Sequence, residues 1–242
     1  KIIGGGEGGL LLAGDEGVWA RANQLMECGG LWRPDRFAPP RWAGELFAGT
    51  NYRMSELEAA VDAIQLAKVH DKVRRFRAVK QRISRQLPPC REIAPQRLND
   101  ADGEVGYTLR FFPESIDLAV RIVEALRAEG VGCSTRGRNP GRDWHIYHDM
   151  FPITERTGWT DIRCPYECPH YTGRGGAVRY GRGDCPVADD LYDRAVTVHL
   201  NQWLTDADCD NVAAALNKVF DAYCTPDAGA APWPAGGMRH DA

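Results

Sequence analysis

Between Ser55 and Pro89 the sequence dictates one long two-faced helix. Leu57, Val61, Ile64, Val69, Val73, Phe76, Val79, Ile83 and Leu87 recur at intervals of three to five residues. Such spacing lines one side of an α-helix with apolar side chains and leaves the other charged. Ser55 and Glu58 form an S-x-x-E capping box at its start, and Pro88-Pro89 end it. Upstream, Leu10-Leu11-Leu12-Ala13 reads as a short buried strand. Asp15 caps a helix running to about Cys28, which Gly29-Gly30 stop, and residues 31–50, rich in Pro, Trp and Gly, form a loop. Downstream, the pattern predicts a strand over 105–112, a helix over 115–129, a strand over 131–134, an irregular stretch around Trp144, His145 and Tyr147, a strand over 195–201 and a helix over 205–223. That alternation is an α/β architecture with helices packed on a small sheet. Residues 225–242 hold Pro, Ala and Gly without periodicity and read as a disordered tail.

Composition excludes several classes. With 43% hydrophobic residues, 26% charged residues and a net charge of -3, nothing points to a nucleic-acid partner. The basic run from Lys68 to Arg85 reads as the solvated face of the long helix. No run of 18 apolar residues occurs, so no membrane span is expected. The eight cysteines are irregularly spaced and read as reduced thiols, which carries an expectation of the cytoplasm. Cys164, Cys168, His170 and Cys185 have zinc-ligand chemistry. Prolines follow Cys164 and Cys168, however, and no paired knuckle repeats the spacing, so loop cysteines are the reading and no metal is expected.

The residues with the most reactive context are Lys1 and the run Gly4-Gly5-Gly6-Glu7-Gly8-Gly9. A primary amine forms an imine with an aldehyde, and glycines let backbone approach a flat cofactor. Gly4, Gly6 and Gly9 also satisfy G-x-G-x-x-G. A dinucleotide fingerprint needs a full strand before it and a helix opening on its last glycine, and neither is present.

Lys1 followed by Gly6-Glu7-Gly8-Gly9, the block Gly49-Thr50-Asn51-Tyr52-Arg53-Met54-Ser55-Glu56-Leu57-Glu58-Ala59-Ala60 with Gln65-Leu66 beyond it, and Gly183-Asp184-Cys185-Pro186-Val187-Ala188 together resemble the DegT/DnrJ/EryC1/StrS aminotransferases. The resemblance spans Lys1 to about Tyr223. It implies the C-terminal portion of a fold-type I enzyme dependent on pyridoxal 5'-phosphate. Residues 1–88 would then be the end of the large cofactor-binding domain with the interdomain helix, 89–224 a small α/β domain, and 225–242 the tail. It also implies that the groups holding the cofactor ring lie upstream of Lys1, in a chain roughly twice as long.

Lys1 is then the catalytic and cofactor-binding amine, and Asn51 reaches the cofactor phosphate of the other subunit of a homodimer with shared sites. From its residue type alone, Asn51 reads as a turn asparagine, and the surrounding match reverses that reading. Arg53 would grip a donor carboxylate or a phosphate, or make a structural salt bridge. His145, Tyr147 and His148 fall where the family's substrate region lies, as sugar contacts or as packing. The segment departs there from the nucleotide-sugar members, which leaves an aminocyclitol or another cyclic ketone open. The implied reaction moves an amino group from glutamate or glutamine to a keto-sugar or cyclitol ketone. The alternative is a non-catalytic relative or an interaction module that keeps the fold and dimer surface.

Overall fold

A computed structural model of the chain describes residues 2–30, 32–138 and 141–234. The chain divides into two compact units, Lys1–Lys72 and Val73–Ala242. The division falls inside the long helical segment, upstream of the expected boundary at Pro88.

In the first unit, α1 (Glu16–Met26) starts where Asp15 Oδ1 accepts the Val18 N–H at 2.8 Å. The capping box opens α2 (Glu56–Ala67): Ser55 Oγ accepts the Glu58 N–H, and Glu58 Oε2 accepts the Ser55 N–H. The helix read as continuous is broken at Lys68, and α3 (Val69–Ser84) follows at once. The apolar stripe is not buried throughout. No residue of α2 is buried, and Leu57, Val61 and Ile64 are exposed within the described residues.

The strand expected over 10–13 does not form. Leu10, Leu11 and Leu12 are 75%, 62% and 95% exposed, and among the described residues no strand lies alongside to take their backbone groups. A strand is a property of a pair, so an apolar run without a partner stays irregular.

The second unit is built on a four-stranded antiparallel sheet of order β1-β2-β4-β3, with β1 Ile93–Pro95, β2 Thr108–Pro113, β3 Cys133–Ser134 and β4 Val196–His199. Between these lie α4 (Ile116–Ala128), the short turns α5 (Phe151–Thr154) and α6 (Pro169–Thr172), and α7 (Pro186–Arg194); α8 (Asp206–Tyr223) closes the order. Ser115 caps α4, and Thr205 with Asp208 forms a second capping box on α8. Alternation sends Leu109, Phe111, Val196 and Val198 into the core against Ile122 and Leu126 of α4 and Leu216 and Phe220 of α8. Val79 and Ile83 of α3 join that core.

Two expectations are corrected in this unit. The basic side of α3 is not simply solvated: Arg77 and Lys80 bind Glu104, and Lys80 is buried. Arg82 forks onto Asp210 at 2.7 and 2.8 Å and reaches Asp206 at 2.9 Å. The segment read as a disordered tail is ordered as far as it is described. Asp227 N–H bonds Pro89 O at 3.0 Å, and Trp233 is buried, stacked on Phe220 and edge-on to Phe111. One large aromatic outweighs the weak pattern of its neighbours, because a ring of that size buries enough apolar area to hold its segment down.

Candidate functional site

Lys1 lies outside the described residues. The chain next to it is anchored: Lys72 Nζ donates to Ile2 O at 3.2 Å and to Gln65 Oε1 at 2.9 Å. The glycines that follow make a close backbone approach, but to α2 and the residue before its cap. A Cβ at Gly5 would collide with the Asp62 carboxylate, and one at Gly8 would lie 2.8 Å from Met54 Cε.

The segment bearing Asn51 is pinned against the end of α1. Thr50 N–H donates to Leu25 O at 2.7 Å, Tyr52 N–H to Met26 O at 3.0 Å, and Cys28 N–H returns to Thr50 O at 2.9 Å. Gly49 is required there, since any Cβ would strike Gln24 O. The fully buried Gln24 also donates to Phe47 O and accepts from Trp32 Nε1, so one amide ties the preceding loop to α1. Glu45, likewise fully buried, is gripped by Arg41. Burial pushes the Glu45 carboxyl up, but Arg41 outweighs it and holds it below the usual range.

Asn51 and Arg53 are brought together and are both exposed. Asn51 Oδ1 accepts from Arg53 N–H and Nε, each at 3.2 Å. That fixes the amide's orientation and leaves its Nδ2 and the two terminal guanidinium nitrogens without a partner among the described residues. The pair can therefore donate to an oxyanion. The α2 N-terminus adds little to this. Ser55 already takes the Glu58 N–H, and Glu56 and Glu58 place negative charge in the first turn.

His145, Tyr147 and His148 belong to the second unit, and only two of them meet. Tyr147 Oη donates to Asp189 Oδ2 at 2.9 Å and accepts the Cys185 N–H at 3.1 Å. His148 packs edge-on to Tyr147, with Nδ1 3.3 Å from Asp149 and Nε2 3.7 Å from Asp189. Burial raises the Asp189 carboxyl, yet the Gly183 N–H, the Tyr147 hydroxyl and the His148 and Arg182 charges leave it lowered overall. The Tyr147 phenol is raised, by burial first and then by Asp189 against the Cys185 N–H. Asp149 is held low by the Asp143 N–H, with Arg136 3.3 Å away. Tyr147 and His148 are thus engaged inside the protein. His145 stands apart, exposed, its Nδ1 2.8 Å from Asp143 Oδ1.

Asp189, Asp149 and Arg136 were missed in the sequence. Asp189 and Asp193 are the buried residues of α7, so its inward face carries acids instead of an apolar stripe. The available signal was Pro186 at the first position of the helix.

All eight cysteines are free thiols. Burial pushes Cys224 up to about 12, with Cys90 and Glu92 adding to it, so it behaves as a small apolar side chain. Among the described residues no three His, Cys, Asp or Glu side chains gather as a metal site, and no helix is long and apolar enough to cross a membrane.

Solved structures similar to the chain share its fold. It aligns with 3-amino-5-hydroxybenzoic acid (AHBA) synthase at 19% identity and a TM-score of 0.51, over 86% of this chain and 48% of that one. It aligns with S. venezuelae DesV at 18% and 0.53, over 86% and 45%. A DegT DnrJ EryC1 StrS aminotransferase from Brucella abortus gives 16% and 0.50, over 84% and 44%. The chain therefore spans about half the length of these proteins, and its α/β fold is that of a part of a fold-type I aminotransferase. The family model for the DegT/DnrJ/EryC1/StrS aminotransferases matches residues 1–160, and the chain belongs to that family.

Proposed function

We propose that this chain is part of a pyridoxal 5'-phosphate-dependent transaminase that moves an amino group from glutamate or glutamine to a keto-sugar or cyclitol ketone. The observation that carries the reading is the Asn51–Arg53 pair. An exposed amide whose oxygen is fixed by the neighbouring arginine presents its N–H groups, with two further guanidinium nitrogens, in the family's motif segment. These donors suit the cofactor phosphate, so the residues present fit that group.

When bound, the cofactor supplies an aldehyde that takes up an amine and a ring that withdraws electrons from the carbon being deprotonated. Lys1 Nζ would hold the cofactor and, as a free amine, would take the proton from the donor's α-carbon. Asn51 holds the phosphate of the other subunit in a homodimer, and Arg53 receives the donor carboxylate or shares the phosphate. The exposed imidazole of His145 is the acceptor-facing group of the 143–148 segment. Tyr147 and His148 hold that segment in shape through Asp189 and Asp149.

The test uses the full-length protein. Lys1→Ala should abolish both turnover and the near-visible absorbance band that borohydride bleaches, and mixing inactive Lys1→Ala with inactive Asn51→Ala should restore activity in hybrid dimers. Turnover that survives Lys1→Ala would overturn the catalytic assignment. Exchange of subunits without recovery would overturn the shared site.

A further inference from the structure

We propose that the second unit carries a separate binding site, on the open face of its sheet, for a small molecule with a carboxylate or phosphate on an apolar body. The proposal does not depend on the cofactor reading. Strand alternation that sends Leu109, Phe111, Val196 and Val198 inward points Arg110, Phe112 and Thr197 to the opposite face. There, with Ser134 and the α7 residues Ala188 and Leu191, they bound a cavity of about 420 Å³. That volume lies within the range of about 300–1,000 Å³ usual for small-molecule sites.

Among the described residues the lining holds two arginines, Arg110 and Arg136, and no carboxylate. Register places Arg110 opposite Thr197 and Thr197 opposite Ser134, so a guanidinium and two hydroxyls form a row across three strands. Arg110 Nε donates to Thr197 Oγ1 at 3.1 Å, and its terminal nitrogens have no partner among the described residues. Among the described residues Arg136 has one pairing, to Asp149 at 3.3 Å, and its Nε and Nη1 are buried without a hydrogen bond.

Among the described residues Arg110 has no acidic partner, whereas Arg136 and several other arginines of the unit do. Arg82 meets Asp206 and Asp210, Arg182 meets Asp193, and Arg194 meets Asp190. A concave site with uncompensated positive charge focuses its field and collects anions. A planar guanidinium with two free N–H-bearing nitrogens matches a carboxylate or a phosphate in bidentate fashion. Phe112, Ala188 and Leu191 give the apolar wall that makes an oxyanion on a hydrocarbon body a better fit than inorganic phosphate alone.

The experiment titrates the full chain with benzoate, phenyl phosphate and uncharged benzyl alcohol by calorimetry. At least one of the two anions should saturate at one equivalent, with a Kd on the order of 0.1–1 mM for a ligand of this size, and the better of the two identifies which oxyanion the site takes. Benzyl alcohol should bind at least about tenfold more weakly, and Arg110→Gln should cost the anion at least about tenfold. Ala188→Phe fills the cavity and keeps both arginines, so it should abolish saturation. Should Ala188→Phe lower the urea midpoint, Arg110→Gln decides alone, because Arg110 is partly exposed and its side chain makes a single hydrogen bond among the described residues. Equal affinity for the alcohol and the anions, undiminished binding by a folded Ala188→Phe or by Arg110→Gln, or no saturable binding would each overturn the site.

Discussion

Replacing Trp233 with alanine should be among the most damaging changes in the second unit, although it lies in the stretch whose composition least suggests structure. The indole is 8% exposed. It stacks on Phe220 at 5.8 Å and 16°, and meets Phe111 edge-on at 5.5 Å and 74°. Its Nε1 donates to Pro88 O at 3.0 Å. Truncating a buried aromatic to alanine costs about 3–5 kcal/mol. Trp233→Phe keeps most of the ring contacts and loses the hydrogen bond, so it should cost about 1 kcal/mol. For a unit of this size each kcal/mol moves Tm by about 2–4 °C, which puts the alanine variant on the order of 6–20 °C lower. Urea and thermal unfolding followed by far-UV circular dichroism would give both values. A loss below about 1 kcal/mol for Trp233→Ala would mean that the segment does not pack, and the core built around Phe111 and Phe220 would need another lid.

Ser55→Ala removes the acceptor for the Glu58 N–H and should destabilise α2 by about 1 kcal/mol, read as increased amide exchange at its first turn; unchanged exchange would refute the cap. Gly49→Ala forces a Cβ into Gln24 O and should cost the first unit about 1–3 kcal/mol, seen as a lower urea midpoint. Asp149 and Asp189 titrate below their unfolded value in the fold, so their stabilisation is full above about pH 4 and is lost as pH falls through their lowered pKa values. Urea midpoints should thus fall below about pH 4, and Asp189→Asn should flatten that fall; parallel curves for both proteins would remove Asp189 from the account.

Caps and periodicity made α1, α2, α4 and α8 legible, because Asp15, Ser55, Ser115 and Thr205 act on backbone groups within three residues of themselves. Strands β2 and β4 were legible for the same local reason: alternation shows in one strand even before its neighbour is known. Strand β1, three residues ending in Pro95, carries too short a pattern to read, and it exists because Phe111, Phe112 and Pro113 lie opposite it. Helix α7 escaped because its buried residues are Asp189 and Asp193, whose partners lie outside the helix: Arg182 and Gly183 in the turn before it, and Tyr147 from a distant segment.

The motif residues Asn51 and Arg53 could be named from sequence, but the orientation of the Asn51 amide depends on Arg53, and their segment's position depends on Gln24 and the end of α1. What the sequence by itself determined was the family and the elements whose forces are local: caps, helical stripes and strand alternation. Tertiary structure alone decided that Leu10–Leu12 stay irregular, that Trp233 is core, that Tyr147 and His148 are engaged by the buried Asp189, and that Arg110 is left without an acid among the described residues. Each of those outcomes turns on whether a partner distant in the chain is present, and a pattern of neighbours cannot encode that.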